Sequence, residues 1–283
     1  MGQSMNDTES KAGDGRKFGR LLLTGAGGGL GRVLRPRMAA FADIVRVSDL
    51  AAALEDSAIA YEEVQACNLA DRAAVDALVA GCDAIVHLGG VSVERPFEEI
   101  LEANIKGVFH VYEAARRHGV KRVVFASSNH VTGFYRQDEV IDVHDLRRPD
   151  GYYGLSKSYG EDMAQLHFDR YGIETVSIRI GNSFSQARDR RALACWLSYD
   201  DLTELLRCAL FTPDVGHTVV YGVSDNVGSW WNNRYAAHLG FVARDSAEQF
   251  RAAIEAQPMP APDDPVRKFQ GGLFTVAGPF DPQ

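Results

Sequence analysis

The sequence predicts an α/β protein built on a doubly wound parallel sheet, and three observations carry that prediction. From Arg20 onward short β-branched runs alternate with helical stretches, a glycine-rich turn joins the first run to the first helix, and an acidic residue closes the second run. Such alternation makes βαβ units, whose parallel sheet must be covered by helices on both faces.

The runs expected as strands are 21–23, 44–47, 63–66, 84–88, 122–126, 175–180 and 218–221, each short enough for a buried strand. Between them Leu30, Val33, Leu34, Met38 and Phe41 recur at helical spacing, as do Phe97, Ile100, Leu101, Ile105, Val108, Val111, Tyr112 and Ala115. Pro36 sits inside the first of these helices, where its missing N–H predicts a local kink. Past Gly181 the rhythm loosens through a polar stretch, 183–191, into a helix capped by Ser198 with Asp201 three residues on. The expected organisation is a disordered tail over 1–18, a cofactor domain over 19–182, and a small substrate cap over 183–283 interleaved with the end of the sheet.

Composition narrows the partners. The 283 residues are 46% hydrophobic, enough for a core without staples. Cys67, Cys82, Cys195 and Cys208 form no CxxC pair and have no spaced histidine partners. Neither a zinc site nor a disulfide framework is expected, and a reducing cytoplasm fits best. A net charge of −8 without a dense Lys/Arg block gives nucleic acid no electrostatic foothold. No run approaches the roughly 18–20 apolar residues of a membrane-spanning helix, so a small molecule is the expected partner.

The first run opens into Thr24, Gly25, Ala26, Gly27, Gly28, Gly29, Leu30 and Gly31, so Gly25, Gly28 and Gly31 form GxxGxxG between strand and helix. In a Rossmann-type fold the first glycine permits the tight turn, the second lets backbone approach a pyrophosphate, and the third lets the helix pack closely. The helix N-terminus at Gly29 and Leu30 adds a positive dipole. Asp49 follows at the end of the second strand, where a carboxylate binds a ribose diol and repels a 2′-phosphate. Leu50 and three alanines come next rather than an arginine, so NAD is expected over NADP. Leu88, Gly89 and Gly90 end the fourth run with small residues that let a dinucleotide lie across the sheet edge.

Tyr153 and Lys157 stand one helical turn apart. An ammonium beside a phenol favours the phenolate, so the pair predicts a tyrosine base whose pKa is lowered toward neutrality. The fifth run ends in Ser127, Ser128, Asn129 and His130, small polar groups at a carboxyl edge where a substrate hydroxyl could be held. On a helix surface YxxxK is common by chance; the glycine fingerprint upstream gives it weight.

In this order of motifs the chain resembles the extended short-chain dehydrogenase/reductase family: TGxxGxxG, the acid, a helical asparagine at Asn104, a serine, then YxxxK. The resemblance implies that Ser128 rather than Ser127 is the catalytic serine, that Lys157 also holds the nicotinamide ribose, and that Leu69 and Ile180 join the cofactor contacts. The strings 87–96, 125–130, 153–157, 178–181 and 229–231 resemble those of the uronate dehydrogenases, over nearly all of the chain from Arg20. That likeness implies NAD-dependent oxidation of galacturonate or glucuronate at the anomeric carbon, to an aldarolactone. It also implies a sugar site lined by Ser92, Ser128, Asn129 and His130, with Arg191 binding the carboxylate by a planar guanidinium. Arg188 and Arg190 are the neighbours it could be confused with. His130 is expected to donate a hydrogen bond to a sugar hydroxyl, and Trp230 and Trp231 to pack rather than stack on sugar.

Two positions depart from the subgroup. Asn68 stands where Asp is usual, leaving an amide oxygen for the adenine amine, and Asn182 stands where Ser is commoner, which puts the seating of the sugar in doubt. Two competing readings use the same scaffold, a nucleotide-sugar epimerase or dehydratase and a non-catalytic NAD-sensing regulator. The short chain after Gly181 argues against the first, the intact Tyr153/Lys157 pair against the second. A homo-oligomer is expected from the resemblance, and no histidine spacing implies a metal.

Overall fold

The computed structural model describes residues 17–54, 59–278 and 280; residues 1–16 of the expected tail lie outside the described residues. Among the described residues nine strands are defined: β1 (Phe18–Thr24), β2 (Ala42–Ser48), β3 (Glu62–Val64), β4 (Ala84–His87), β5 (Arg122–Ser128), β6 (Ile141–Asp142), β7 (Glu174–Ile180), β8 (His217–Gly222) and β9 (Trp231–Asn232). Seven of them form one parallel sheet in the order β3-β2-β1-β4-β5-β7-β8, while β6 pairs with β9. The expected α/β class and doubly wound parallel sheet are what is found.

The sheet is buried on both faces because its strands alternate. Leu21, Leu23, Val86 and Val124 enter one core, with Leu202, Leu205 and Leu206 of α7 (Tyr199–Phe211). Leu22, Ile85, Val123 and Phe125 enter the other, under α2 (Arg72–Val79), α4 (Gly107–His118) and α5 (Tyr152–Tyr171). Successive residues on one strand thus serve opposite cores, as the two-residue period of a strand requires.

Several elements differ in detail from expectation. β1 begins at Phe18, inside the segment expected as tail, and Phe18 stacks on Phe211 at 5.2 Å. At Pro36 the first helix changes type: α1 (Gly29–Leu34) ends and a 3-10 helix, Arg35–Ala40, carries on, since proline has no N–H for the α ladder. The stretch from α3 (Phe97–Ile100) to α4 is a continuous helix except for a π turn at Leu101–Lys106. Ser198 caps α7 as expected, accepting from Asp201 N at 2.9 Å, but Asp201 does not reach back. Its carboxylate takes Arg244 N, Asp245 N and the Ser224 hydroxyl, tying the cap to a distant loop.

Since β2 and β3 lie to one side of β1 and β4 to the other, the chain reverses direction across the sheet between β1 and β4. The crevice beyond their carboxyl ends is where open α/β sheets bind ligands. Among the described residues no helix is long and apolar enough to cross a membrane.

Candidate active site

A cavity of about 570 Å³ opens at that crevice. One wall is nearly all backbone. Gly25 has φ +71°, and a Cβ there would stand 2.8 Å from Leu88 C and Gly89 N, so only glycine lets the β1 and β4 turns touch. A Cβ on Gly31 would collide with the Gly25 carbonyl, whereas one on Gly29 would meet only open space. Gly28 and Leu30 share this wall with Gly25, Gly29 and Gly31. Asp49 completes it, its carboxylate accepting from Gly27 N at 3.0 Å and Leu50 N at 2.8 Å.

The opposite wall gathers residues from five separate segments. Leu88, Gly90 and Ser92 follow β4; Ser128, Asn129 and His130 end β5; Tyr153 and Lys157 open α5; Ile180 and Asn182 end β7; Arg191 precedes α6 (Ala192–Cys195). Asn68, Leu69, Gly89 and Asn104 do not line the cavity. Asn68 Oδ1 accepts from Ala70 N at 3.0 Å, while a Cβ on Gly89 or on Gly107 would meet the Leu69 side chain, so Leu69 packs beneath the wall. Asn104 is buried in the π turn, accepting from Val91 N at 2.8 Å and donating to Val91 O and the Ser156 hydroxyl. It thus braces the loop after β4 against α5 from behind, at the kind of helix irregularity that clusters at functional sites.

The tyrosine's electrostatics differ from expectation. Burial dominates and pushes the Tyr153 pKa up to about 12, with the Ser128 hydroxyl offsetting part of that rise. Burial likewise pushes Lys157 down to about 8. Its Nζ donates to Ala126 O at 2.8 Å and lies 5.5 Å from the Tyr153 ring centroid. The spacing in sequence identifies the pair, but their desolvation sets the sign of the shift.

Arg191 is held rather than free. Its Nε donates to Gln270 O, and Nη2 donates at 2.9 Å to Asn129 Oδ1, once the Asn129 amide is oriented so that its nitrogen donates to Ile180 O. Its Nη1 has no partner among the described residues. Arg188 lies over the Phe184 ring and Arg190 donates to Glu255 O and Gln257 O, so of the three arginines only Arg191 lines the cavity. The Asn182 side-chain oxygen and the Ser183 hydroxyl are buried on the cavity wall without partners. Trp230 and Trp231 pack, with Trp231 stacked on Tyr221 at 4.9 Å.

Four residues at this site were assigned no role from the sequence. Glu94 accepts from Tyr152 N at 2.7 Å and Tyr153 N at 2.8 Å, capping α5 from the loop that holds Ser92. Asp150 meets His130 Nδ1 at 2.6 Å. Phe274 stacks on the His130 ring at 3.8 Å. Gln270, fully buried, accepts from Trp231 Nε1 and donates to Arg136 O and Glu139 O, which seats the strap 266–274 over the cavity.

A sheet with this reversal, a backbone-lined wall and an adjacent tyrosine and lysine define a dinucleotide-dependent class, and the chain belongs to the NAD dependent epimerase/dehydratase family, matched over residues 21–199. Within it, the chain is 66% identical to a uronate dehydrogenase of Pseudomonas syringae pv. tomato, over 93% of this chain and 95% of that protein. It is 49% identical to the uronate dehydrogenase of Agrobacterium fabrum, over 90% and 96% respectively. Among solved structures, a mutant uronate dehydrogenase from Agrobacterium tumefaciens complexed with NAD is similar with a TM-score of 0.90 and 48% identity, covering 93% of this chain and 99% of that one.

Proposed function

We infer that the chain is an NAD-dependent oxidoreductase that oxidises a hexuronate, D-galacturonate or D-glucuronate, at the anomeric carbon to the aldarolactone. The observation that carries the reading is the joint presence on one cavity wall of Tyr153, Ser128 and Lys157 with Arg191, whose Nη1 has no partner among the described residues. The two-thirds identity to a uronate dehydrogenase supports it. A nucleotide-sugar epimerase and an NAD-sensing regulator are not favoured.

The residues present fit NAD: the glycine wall leaves open space at Gly29, and the Asp49 carboxylate suits a ribose diol without a 2′-phosphate. NAD supplies the hydride acceptor. Arg191 takes the substrate carboxylate, fixing the sugar ring against the wall that carries Ser128 and Tyr153. Ser128 orients the anomeric hydroxyl and Tyr153 removes its proton. Lys157 provides positive charge beside the phenolate form in which Tyr153 accepts that proton and becomes the neutral phenol, a charge most needed because burial opposes ionisation. Holding the reacting carbon in position contributes much of the rate.

We assign residues 19–182 chiefly to the cofactor and the cap over 183–283, through its segments at 183–199 and 266–274, to the sugar. Four buried, unpaired cysteines are consistent with a cytoplasmic enzyme, and exposed Phe109 and Leu166 on α4 and α5 are consistent with a homo-oligomer. Purified protein mixed with NAD and galacturonate or glucuronate should produce NADH absorbance. No signal with either uronate rejects the function, and equal rates with neutral galactose reject the role of Arg191.

A further inference from the structure

The His130 ring carries more information than its position on the wall. Its Nδ1 lies 2.6 Å from Asp150 Oδ2, and the Asp150 side chain is completely buried. A carboxylate only accepts hydrogen bonds, so the imidazole is the donor and its proton sits on Nδ1. Two glycines show how closely the carboxylate is built in, since a Cβ on Gly133 or Gly271 would run into Asp150 Oδ2. The ring is clamped on its face as well, stacked on Phe274 and edge-on to Tyr153 at 5.7 Å. His130 Nε2 has no partner among the described residues and belongs to a ring that lines the cavity.

We propose that Asp150 is a positioning residue that fixes His130 with its proton on Nδ1, so that Nε2 meets the substrate as a hydrogen-bond acceptor. The sugar position facing it must then carry a hydroxyl that donates, the reverse of the donor role expected from sequence. Burial supports this by holding the His130 pKa below its ordinary value, although Asp150 pulls the other way. Arg191 facing the ring disfavours a second proton, and Glu94 weakly favours one. A ring neutral near pH 7 with Nδ1 protonated has only a lone pair to offer at Nε2. Asp150 differs from a mere packing residue in that its charge selects the tautomer, and through it the polarity of recognition.

The inference rests on the hexuronate reading, but its principal test needs no turnover. Nitrogen-15 spectra of labelled protein, with His130→Gln to assign the ring, report which nitrogen carries the proton. The expected wild-type ring has Nδ1–H and a bare Nε2, whose resonance moves when galacturonate is added with NADH, a pair that cannot react. In Asp150→Asn the ring should populate Nε2–H, and kcat/KM for galacturonate should fall by about tenfold or more with the Kd for NADH unchanged. A wild-type proton on Nε2, a variant that keeps Nδ1–H, or an altered tautomer with unchanged kcat/KM each overturns the proposal. Should Asp150→Asn not fold, the wild-type tautomer and its response to galacturonate decide the matter. Absence of NADH formation by the wild type would reject the hexuronate reading and leave the tautomer result standing.

Discussion

The two walls of the cavity are built on different principles. The glycine wall is local: Gly25 to Gly31 and Asp49 lie within one βαβ unit, and backbone does most of the shaping. The opposite wall is assembled from loops far apart in the chain and held by buried side chains, with Glu94 reaching Tyr153 across 59 residues and Arg191 reaching Gln270 across 79. Where its turns touch, at Gly25 and Gly31, the backbone-built site tolerates no added atom, whereas a side-chain-built site tolerates no lost partner. The two walls should therefore fail differently when altered.

Changes at the second wall test this most severely. Tyr153→Phe should lower kcat by about 10²–10⁴-fold, the usual contribution of a general base, while calorimetry shows NAD binding retained. Arg191→Ala should raise KM for galacturonate by roughly tenfold or more, since hydrogen bonds to charged groups contribute about 1.5–3 kcal/mol, and leave the Kd for NAD unchanged. If NAD affinity falls as steeply as galacturonate affinity, the walls are not separable. Gly25→Ala tests the converse, adding one carbon where φ is +71° and the turns already touch. It should cost about 1–3 kcal/mol in strain, seen as a lower Tm and weaker NAD binding, while KM for galacturonate at saturating NAD holds. Glu94→Ala should have the smallest effect, about 1 kcal/mol from the lost α5 cap, read as a shifted denaturation midpoint.

The same contrast explains what the sequence made legible. The glycine turn, Asp49 and the Tyr153/Lys157 pair were readable because each is a local pattern whose spacing is its geometry. Ser128 and Arg191 came through family resemblance. Asp150, Glu94 and Gln270 carry no local pattern, since each acts on a partner 20 or more residues away, and one acid among many looks like a solvated charge. Even where spacing named the residues it did not give their environment. Tyr153 was expected to titrate lower, yet burial moves it upward, a property of the assembled wall rather than of the helix that carries it. Pro36 was likewise visible, but its consequence, a handover from α to 3-10 helix, was not.

Chain order gives the strap at 266–274 a further significance. It joins the cavity after every strand of the sheet has been laid down, and it brings Gln270 to Arg191 and Phe274 to His130. A chain severed near residue 260 would keep the glycine wall and lose the support of the sugar wall. Both groups on which the sugar wall leans are thus held by the last segment of the chain to reach the cavity.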